Sequence, residues 1–119
     1  MRCSEVSSVS PVVPDEDEVA YAARVLKLLA DRTRLAILAM LGQDEMSVTE
    51  IAQALGRPMP AVSQHLAKLR TAGLIGVRKD GTTNYYQSPS EHVSALVTNA
   101  LQLSEHALYD EPPHHRRAR

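Results

Sequence analysis

The histidines are the residues of this sequence whose type and position best suit metal chemistry. Four of the five lie between residues 92 and 115, as His92, His106, His114 and His115. Imidazole is the most common metal ligand in proteins, and Glu105 adds a carboxylate beside His106. Such a set has no sulfur and more than four ligands, which favours Ni(II) or Co(II) over the tetrahedral preference of Zn(II), although Zn(II) remains possible.

A single helix cannot hold one metal ion between His92 and His106. The two histidines are 14 residues apart on a predicted helix, which is about 21 Å along its axis at 1.5 Å per residue. Two such helices, antiparallel about a twofold axis near Asn99, would bring His92 of one chain opposite Glu105 and His106 of the other, giving two equivalent sites. The spacing also allows a simpler interpretation without a metal site. His92 would then belong to a helix start, Glu105 and His106 to a solvated helix face, and His114 and His115 to a polar tail.

Two short helices joined by a sharp turn occupy the middle of the chain. Ser47-Val-Thr-Glu50 has the spacing of a capping box, in which a hydroxyl and a carboxylate satisfy free N–H groups at a helix start. Gly56 can adopt the left-handed backbone conformation that ends this helix. The prolines of Arg57-Pro-Met-Pro60 stiffen the connection, and the second helix is predicted from Pro60 to Ala72.

A hairpin is predicted to follow the second helix. Leu74–Lys79 and Thr82–Gln87 have the pattern of its two strands, joined at Asp80-Gly81, a dipeptide favoured in type I′ turns. Helix, turn, helix and hairpin in this order are typical of a winged helix-turn-helix, whose second helix enters the major groove of DNA. We therefore expect a mainly α (α+β) fold, with five helices and a two-stranded β-hairpin wing, assembled as a homodimer.

The outer face of the second helix and the hairpin carry side chains that suit contacts with double-stranded DNA. Polar and basic groups on the helix would read base edges, and those on the hairpin would contact phosphate or the minor groove. Between residues 51 and 90, five basic residues stand against one acidic residue, although the net charge of the chain is −1. A protein-interaction module of the same outline is the alternative. The candidate contacts are Ser63, Gln64, His65, Lys68, Arg70, Arg78, Lys79 and Thr82.

The rest of the chain is predicted to flank this unit. We expect residues 1–14 to form a flexible N-terminal arm that contains the single cysteine, Cys3, and residues 110–119 to form a His/Arg-rich tail. Residues 15–109 form the DNA-binding and dimerisation domain, with early helices at Asp15–Leu29 and Thr33–Leu41. The first helix is apolar over a wide arc, so we expect it to be buried against both its own domain and a partner. The last helix is predicted to start at a second capping box, Ser88-Pro-Ser-Glu91, and to run to Tyr109.

The composition argues against several other classes of protein. One cysteine leaves no disulfide framework and no thiolate metal cluster, and 3% aromatic residues are few for stacking on single-stranded nucleic acid. The five glycines sit at predicted helix ends and turns, and no nucleophile constellation is present, so we expect no enzyme. The sequence shows no secretory segment and no apolar run of membrane-spanning length, which predicts no membrane partner and a cytoplasmic location.

These segments resemble the ArsR/SmtB family of metal-sensing transcriptional repressors. The runs LADRTRLAILAML, MSVTEIAQALG, VSQHLAKLRTAGLI and RKDGTTNYY lie where the helices and wing of the family lie, and the resemblance is greatest to nickel/cobalt-sensing members. The resemblance implies that metal binding releases the protein from its operator and relieves repression of an efflux pump. The ligands that the resemblance implies are His92, Glu105, His106, His114 and His115.

Two departures from other branches of the family argue against the metal sites that those branches use. The stretch MSVTEIAQAL lacks the cysteine motif of arsenic, cadmium and lead sensors, and Ser90 and Leu103 stand where zinc sensors have Asp and His. We therefore expect a repressor that binds a palindromic operator, is released by Ni(II) or Co(II), and controls metal efflux or homeostasis genes. Two alternatives remain open: a family member controlled by a partner or by oxidation of Cys3, and a nickel carrier whose helix-turn-helix serves protein contacts.

Overall fold

The computed structural model describes residues 11–88 and 90–109. Cys3, His114 and His115 lie outside the described residues, as does most of the predicted N-terminal arm. The described elements are α1 Glu16–Leu29, α2 Arg32–Leu41, β1 Met46–Ser47, α3 Val48–Leu55, α4 Met59–Thr71, β2 Gly76–Asp80, β3 Thr83–Gln87 and α5 Glu91–Tyr109. The predicted winged helix-turn-helix is confirmed, since α3 and α4 form the two-helix unit and β2 and β3 form the wing.

Side-chain caps determine where α2 and α3 begin. The hydroxyl of Ser47 accepts a hydrogen bond from the N–H of Glu50 at 3.2 Å, and the Glu50 carboxylate accepts one from the N–H of Ser47 at 2.9 Å. The predicted capping box is therefore formed, and Gly56 ends α3 with φ +66°, as expected. Asp31 caps α2 by accepting from the N–H of Arg34 at 2.9 Å, and this hydrogen bond lowers the pKa of Asp31 below its ordinary value.

The cap of α5 differs from the predicted one. The helix begins at Glu91, and the Oγ of Ser90 accepts hydrogen bonds from the N–H groups of His92 at 3.2 Å and Val93 at 3.3 Å. Ser88 instead places its hydroxyl 3.3 Å from that of Ser94. The predicted box Ser88-Pro-Ser-Glu91 was wrong, because the serine next to the first helical residue reaches the free N–H groups and Ser88 does not.

The wing is part of a three-stranded sheet, whereas the sequence predicted two strands. β1 pairs with β3, with Met46 opposite Tyr86 and Ser47 opposite Tyr85, and β3 pairs with β2. The strand order is therefore β1-β3-β2, antiparallel throughout. A strand of two residues shows no alternation that could predict it, yet β1 connects the wing to the start of α3.

The turn of the wing is Gly81-Thr82 and not Asp80-Gly81. Asp80 pairs with Thr83 at the end of the ladder. Gly81 has φ +66°, and no described residue other than glycine has a positive φ. A type I′ turn needs a positive φ at both central residues, whereas a type II′ turn needs it only at the first, where glycine is favoured. The predicted type I′ turn was therefore wrong, and Thr82 lies in the turn.

One hydrophobic core joins the helices and fixes the inner side of the helix-turn-helix. Leu74 and Ile75 are buried ahead of β2, which begins two residues later than predicted. No helix in the described ranges is both long enough and apolar enough to cross a membrane. Buried side chains come from every helix: Leu29, Ile37, Leu38, Leu41, Ile51, Ala52, Val62, Leu66, Leu69, Val93 and Val97.

Candidate nucleic-acid interface and metal ligands

Helix α4 presents two of the predicted contacts directly to solvent. Each residue turns a helix by about 100°, so Val62, Leu66 and Leu69 form a single stripe, and all three are buried. Gln64 and Lys68 lie on the opposite side and are exposed. Core packing on one side therefore orients these two side chains outward, as a helix that enters a DNA groove requires.

Two other predicted contacts lie on the side of α4 that faces the wing. Ser63 and Arg70 line a cleft of about 450 Å³ together with Tyr86 of β3. Arg70 is exposed and forms no ion pair within residues 11–88 and 90–109. Tyr86 was not among the predicted contacts, because its place in a strand gives no sign that it borders the helix.

His65 lies on the remaining side of α4 and is half-buried against α2. Its Nδ1 is 3.3 Å from Nη1 of Arg34, and Nε of Arg34 donates to the carbonyl oxygen of Leu28 at 2.7 Å. An arginine N–H can only donate, so His65 accepts at Nδ1 when it is neutral and carries its proton on Nε2. One N–H of this ring is then left to contact a DNA acceptor.

Among the predicted contacts of the wing, two are exposed residues and the third, Arg78, forms ion pairs with Glu45 and, at 3.9 Å, with Asp80. Lys79 and Thr82 are exposed at and beside the turn. Nε and Nη2 of Arg78 donate to the two carboxylate oxygens of Glu45 at 3.0 and 2.9 Å. These hydrogen bonds lower the pKa of Glu45 and raise the pKa of Arg78. No pattern in the sequence indicates this pair, because its members are 33 residues apart.

His92 and His106 share one exposed stripe of α5. Steps of four and three residues place His92, Leu96, Asn99, Leu103 and His106 on one side of the helix. Leu96 is 42% exposed and Leu103 71% exposed. The stripe therefore presents apolar side chains to solvent between two potential metal ligands.

Glu105 lies on a different side of α5. It lines a groove between α5 and the end of α2 together with Gly42, Gln43 and Leu101. In the described part of one chain, no three His, Cys, Asp or Glu side chains are close enough to hold a metal ion. A set of three such ligands around His92 or His106 would therefore include residues outside the described ranges or residues of another chain.

A second exposed apolar face lies on α1. Val19, Tyr21 and Leu26 are 49%, 56% and 53% exposed. Tyr21 and Leu26 also line a groove of about 380 Å³ between α1 and α5, together with His92 and Leu96. The two exposed apolar faces are therefore neighbours, and contiguous apolar surface of this kind marks contact with another chain.

Comparison with known proteins identifies the family. A helix-turn-helix domain model matches residues 29–78. The chain is 49% identical over 106 residues to the HTH-type transcriptional regulator KmtR of Mycobacterium tuberculosis, and the match covers 89% of this chain and 81% of KmtR. The chain belongs to the ArsR/SmtB family of transcriptional regulators.

Solved structures share the fold of this ArsR/SmtB protein. The crystal structure of the transcriptional regulator HlyU from Vibrio vulnificus has a TM-score of 0.67 and 42% identity, and covers 74% of this chain and 92% of HlyU. The solution structure of Mb0332 from Mycobacterium bovis, a homodimeric winged helix-turn-helix DNA-binding domain and possible ArsR-family regulator, has a TM-score of 0.72 and 31% identity over 87% and 97% of the two chains. This family and fold belong to DNA-binding regulators and not to enzymes.

Proposed function

We propose that this protein is a homodimeric repressor that binds a palindromic operator in double-stranded DNA and is released by Ni(II) or Co(II). It would act in the cytoplasm and control genes of metal efflux or homeostasis. The observation that carries the proposal is the exposed stripe of α5, which has a histidine at each end and Asn99 in the middle.

Pairing of two such stripes would account for the exposure of Leu96 and Leu103 in α5. About a twofold axis near Asn99, antiparallel helices would cover Leu96 and Leu103 of both chains and would place His92 of one chain beside His106 of the other. A twofold interface uses the same patch on both subunits. The groove lined by Tyr21, Leu26, His92 and Leu96 continues this patch onto α1, and the relative Mb0332 is a homodimer.

The proposed ligands combine the two ends of the stripe with nearby donors. Imidazole nitrogens and a carboxylate suit Ni(II) and Co(II) in sites of more than four ligands, and Zn(II) is the competing metal. Glu105 lies on the side of α5 that faces α2, so it would join only if its long side chain reaches around the helix. The proposed set is His92, Glu105, His106, His114 and His115.

Metal at this interface would act on DNA through the spacing of the two α4 helices. Paired recognition helices must lie about one turn of DNA apart, roughly 34 Å. Val93 and Val97 pack α5 into the core that also holds Leu66 and Leu69 of α4. A change in the angle between two α5 helices would therefore move both recognition helices. If metal weakens DNA binding by a given factor, DNA must weaken metal binding by the same factor.

Fluorescence anisotropy tests the proposal. The full-length protein is titrated onto a labelled duplex that it has itself selected from a random library, at fixed salt, with Ni(II), Co(II), Zn(II) or no metal. We expect salt-dependent binding without metal and a loss of affinity of about tenfold or more with stoichiometric Ni(II) or Co(II). Binding that no metal changes would contradict metal control and favour a regulator controlled by a partner or by oxidation. Absence of salt-dependent DNA binding would contradict the repressor and favour a metal carrier.

A further inference from the structure

We propose that Glu45 positions the wing through its ion pair with Arg78, so that Arg78 acts inside the protein and not on a DNA phosphate. This inference rests on the proposed DNA binding. It assigns a role to Glu45, which the sequence did not indicate, and it replaces the expected phosphate contact of Arg78 with a positioning role.

The Glu45–Arg78 pair spans the sheet from one edge to the other. Glu45 immediately precedes β1, Arg78 lies in β2, and β3 runs between these two strands. The guanidinium lies 5.0 Å from the centroid of the Tyr85 ring, and Tyr85 is the residue opposite Arg78 in the ladder. Two nearly parallel hydrogen bonds of 3.0 and 2.9 Å match the planar fork of arginine to the carboxylate, which fixes their relative orientation.

Contacts on two faces attach the wing to the rest of the domain. β1 contributes only the register pairs of Met46 with Tyr86 and Ser47 with Tyr85. An isolated hairpin is at best marginally stable in water. Tyr86 packs against the core, and side chains alternate between the two faces of a strand, so the Glu45–Arg78 pair and Tyr85 lie on the opposite face. The core therefore holds one face of the wing through Tyr86, and the Glu45–Arg78 pair holds the other face.

Transfer of Arg78 to a phosphate would be unfavourable in this arrangement. A phosphate would reach only the N–H groups that Glu45 leaves free, and Nη1, which carries two of them, already lies 3.9 Å from the Asp80 carboxylate. Complete transfer would break both hydrogen bonds to Glu45 and leave an unpaired carboxylate near the negative DNA backbone. The side chains of Arg78 and Glu45 are 47% and 34% exposed, so solvent screens their attraction and the pair adds little to global stability. We therefore expect the pair to act on the orientation of Lys79, which lies between the pair and the tip of the wing, and of Thr82, which lies at the tip.

A double-mutant cycle in the full-length protein tests the inference. Operator affinity is measured across a range of salt concentrations for wild type, Glu45→Gln, Arg78→Gln and the double variant, with Lys79→Gln as a control that lowers the salt slope by about one. We expect each single substitution to weaken binding about three- to fivefold, the double variant to be no weaker than either, and the salt slope to stay unchanged. Loss of a negative charge near DNA would by itself strengthen binding. Weaker binding by Glu45→Gln would therefore distinguish a positioning role of Glu45 from a purely electrostatic effect.

Four results would overturn the inference. Arg78→Gln could lower the salt slope by about one while Glu45→Gln strengthens binding, which would place Arg78 on a phosphate. The two substitutions could be additive, or neither could change the affinity. A swapped variant, Glu45→Arg with Arg78→Glu, restores an ion pair but loses the contact with Tyr85 and places a carboxylate near Asp80, so it should recover part of the lost affinity. Additive loss in the swap would also overturn the inference.

Two controls separate this inference from the proposed function and from loss of folding. A wild-type protein that binds no duplex contradicts the proposed function itself, whereas additive variants of a DNA-binding wild type contradict only the role of Glu45. Thermal unfolding of each variant shows whether the wing alone or the whole domain is affected, and the swapped variant retains the ion pair in case a single variant unfolds.

Discussion

Nη1 of Arg34 lies 3.3 Å from Nδ1 of His65, and this contact joins α2 to the side of α4. Because Arg34 also binds the carbonyl oxygen of Leu28 in α1, three helices meet at one guanidinium. We expect His65→Ala to lower the free energy of unfolding by about 1 kcal/mol, measured by urea denaturation, since a half-buried hydrogen bond is lost. His65→Gln retains an acceptor and should retain more of the stability. Unchanged stability of His65→Ala together with lost operator binding would show that His65 acts on DNA alone.

Lys68 is exposed on the side of α4 opposite the core, and we expect it to contribute mainly charge to DNA binding. Lys68→Gln should weaken operator binding and lower the slope of log K against log salt by about one, because one fewer counterion is released. Metal affinity should be nearly unchanged. Lys27→Gln on α1 is the matched control, and equal effects of the two substitutions would remove Lys68 from the interface.

The stripe of α5 predicts a specific effect on assembly. Leu103 is 71% exposed in the single chain, so Leu103→Glu should leave the fold of the subunit intact while placing a charge in the paired helices. We expect a monomer by light scattering and a loss of operator affinity, since two half-sites are no longer bound together. Gln102→Glu is the control, because Gln102 faces the groove beside α2. A dimeric Leu103→Glu variant would contradict pairing through this stripe.

Local patterns in the sequence predicted most helix starts and ends. The Ser47 and Glu50 spacing determined the start of α3, and Gly56 determined its end, because capping depends on atoms within four residues. The same reasoning failed at α5, where either Ser88 or Ser90 could cap the helix. Ser90 caps it because it lies next to Glu91, the first helical residue. It also failed at the wing turn, where the pairing of Asp80 with Thr83, and not dipeptide preference, fixes the two turn residues.

Contacts between distant residues account for what the sequence could not predict. The basic character of residues 51–90 indicated a DNA interface, but nothing near Arg78 indicated its partner Glu45 on the far side of the sheet. Similarly, helical spacing placed His65 on the outer part of α4, and only the packing of α2 shows that Arg34 contacts it. The spacing of His92 and His106 did predict a shared side of α5, since that depends on helix geometry alone.

Asp31 predicts a pH dependence of stability. The hydrogen bond from the N–H of Arg34 and the positive charge of Arg34 lower the pKa of Asp31 from its ordinary value of 3.8. Because the folded-state pKa is the lower one, its contribution is present above pH 3.8 and is lost as the pH falls through the folded-state pKa. Asp31→Asn keeps a capping side chain and should remove this part of the acid sensitivity, measured by urea unfolding at a series of acidic pH values. Identical acid profiles of the two proteins would contradict this role.

The most direct measurement asks whether His92 of one chain and His106 of the other hold the same metal ion. His92→Ala and His106→Ala are prepared as separate homodimers and, with two different tags, as a purified mixed dimer, and Ni(II)-driven release from the operator is measured by anisotropy. In the mixed dimer, one metal site lacks both His92 and His106, and the other site retains both. We predict that both homodimers stay on DNA with Ni(II) and that the mixed dimer is released. A mixed dimer as unresponsive as the two homodimers, or a homodimer released like wild type, would contradict a metal site shared between chains.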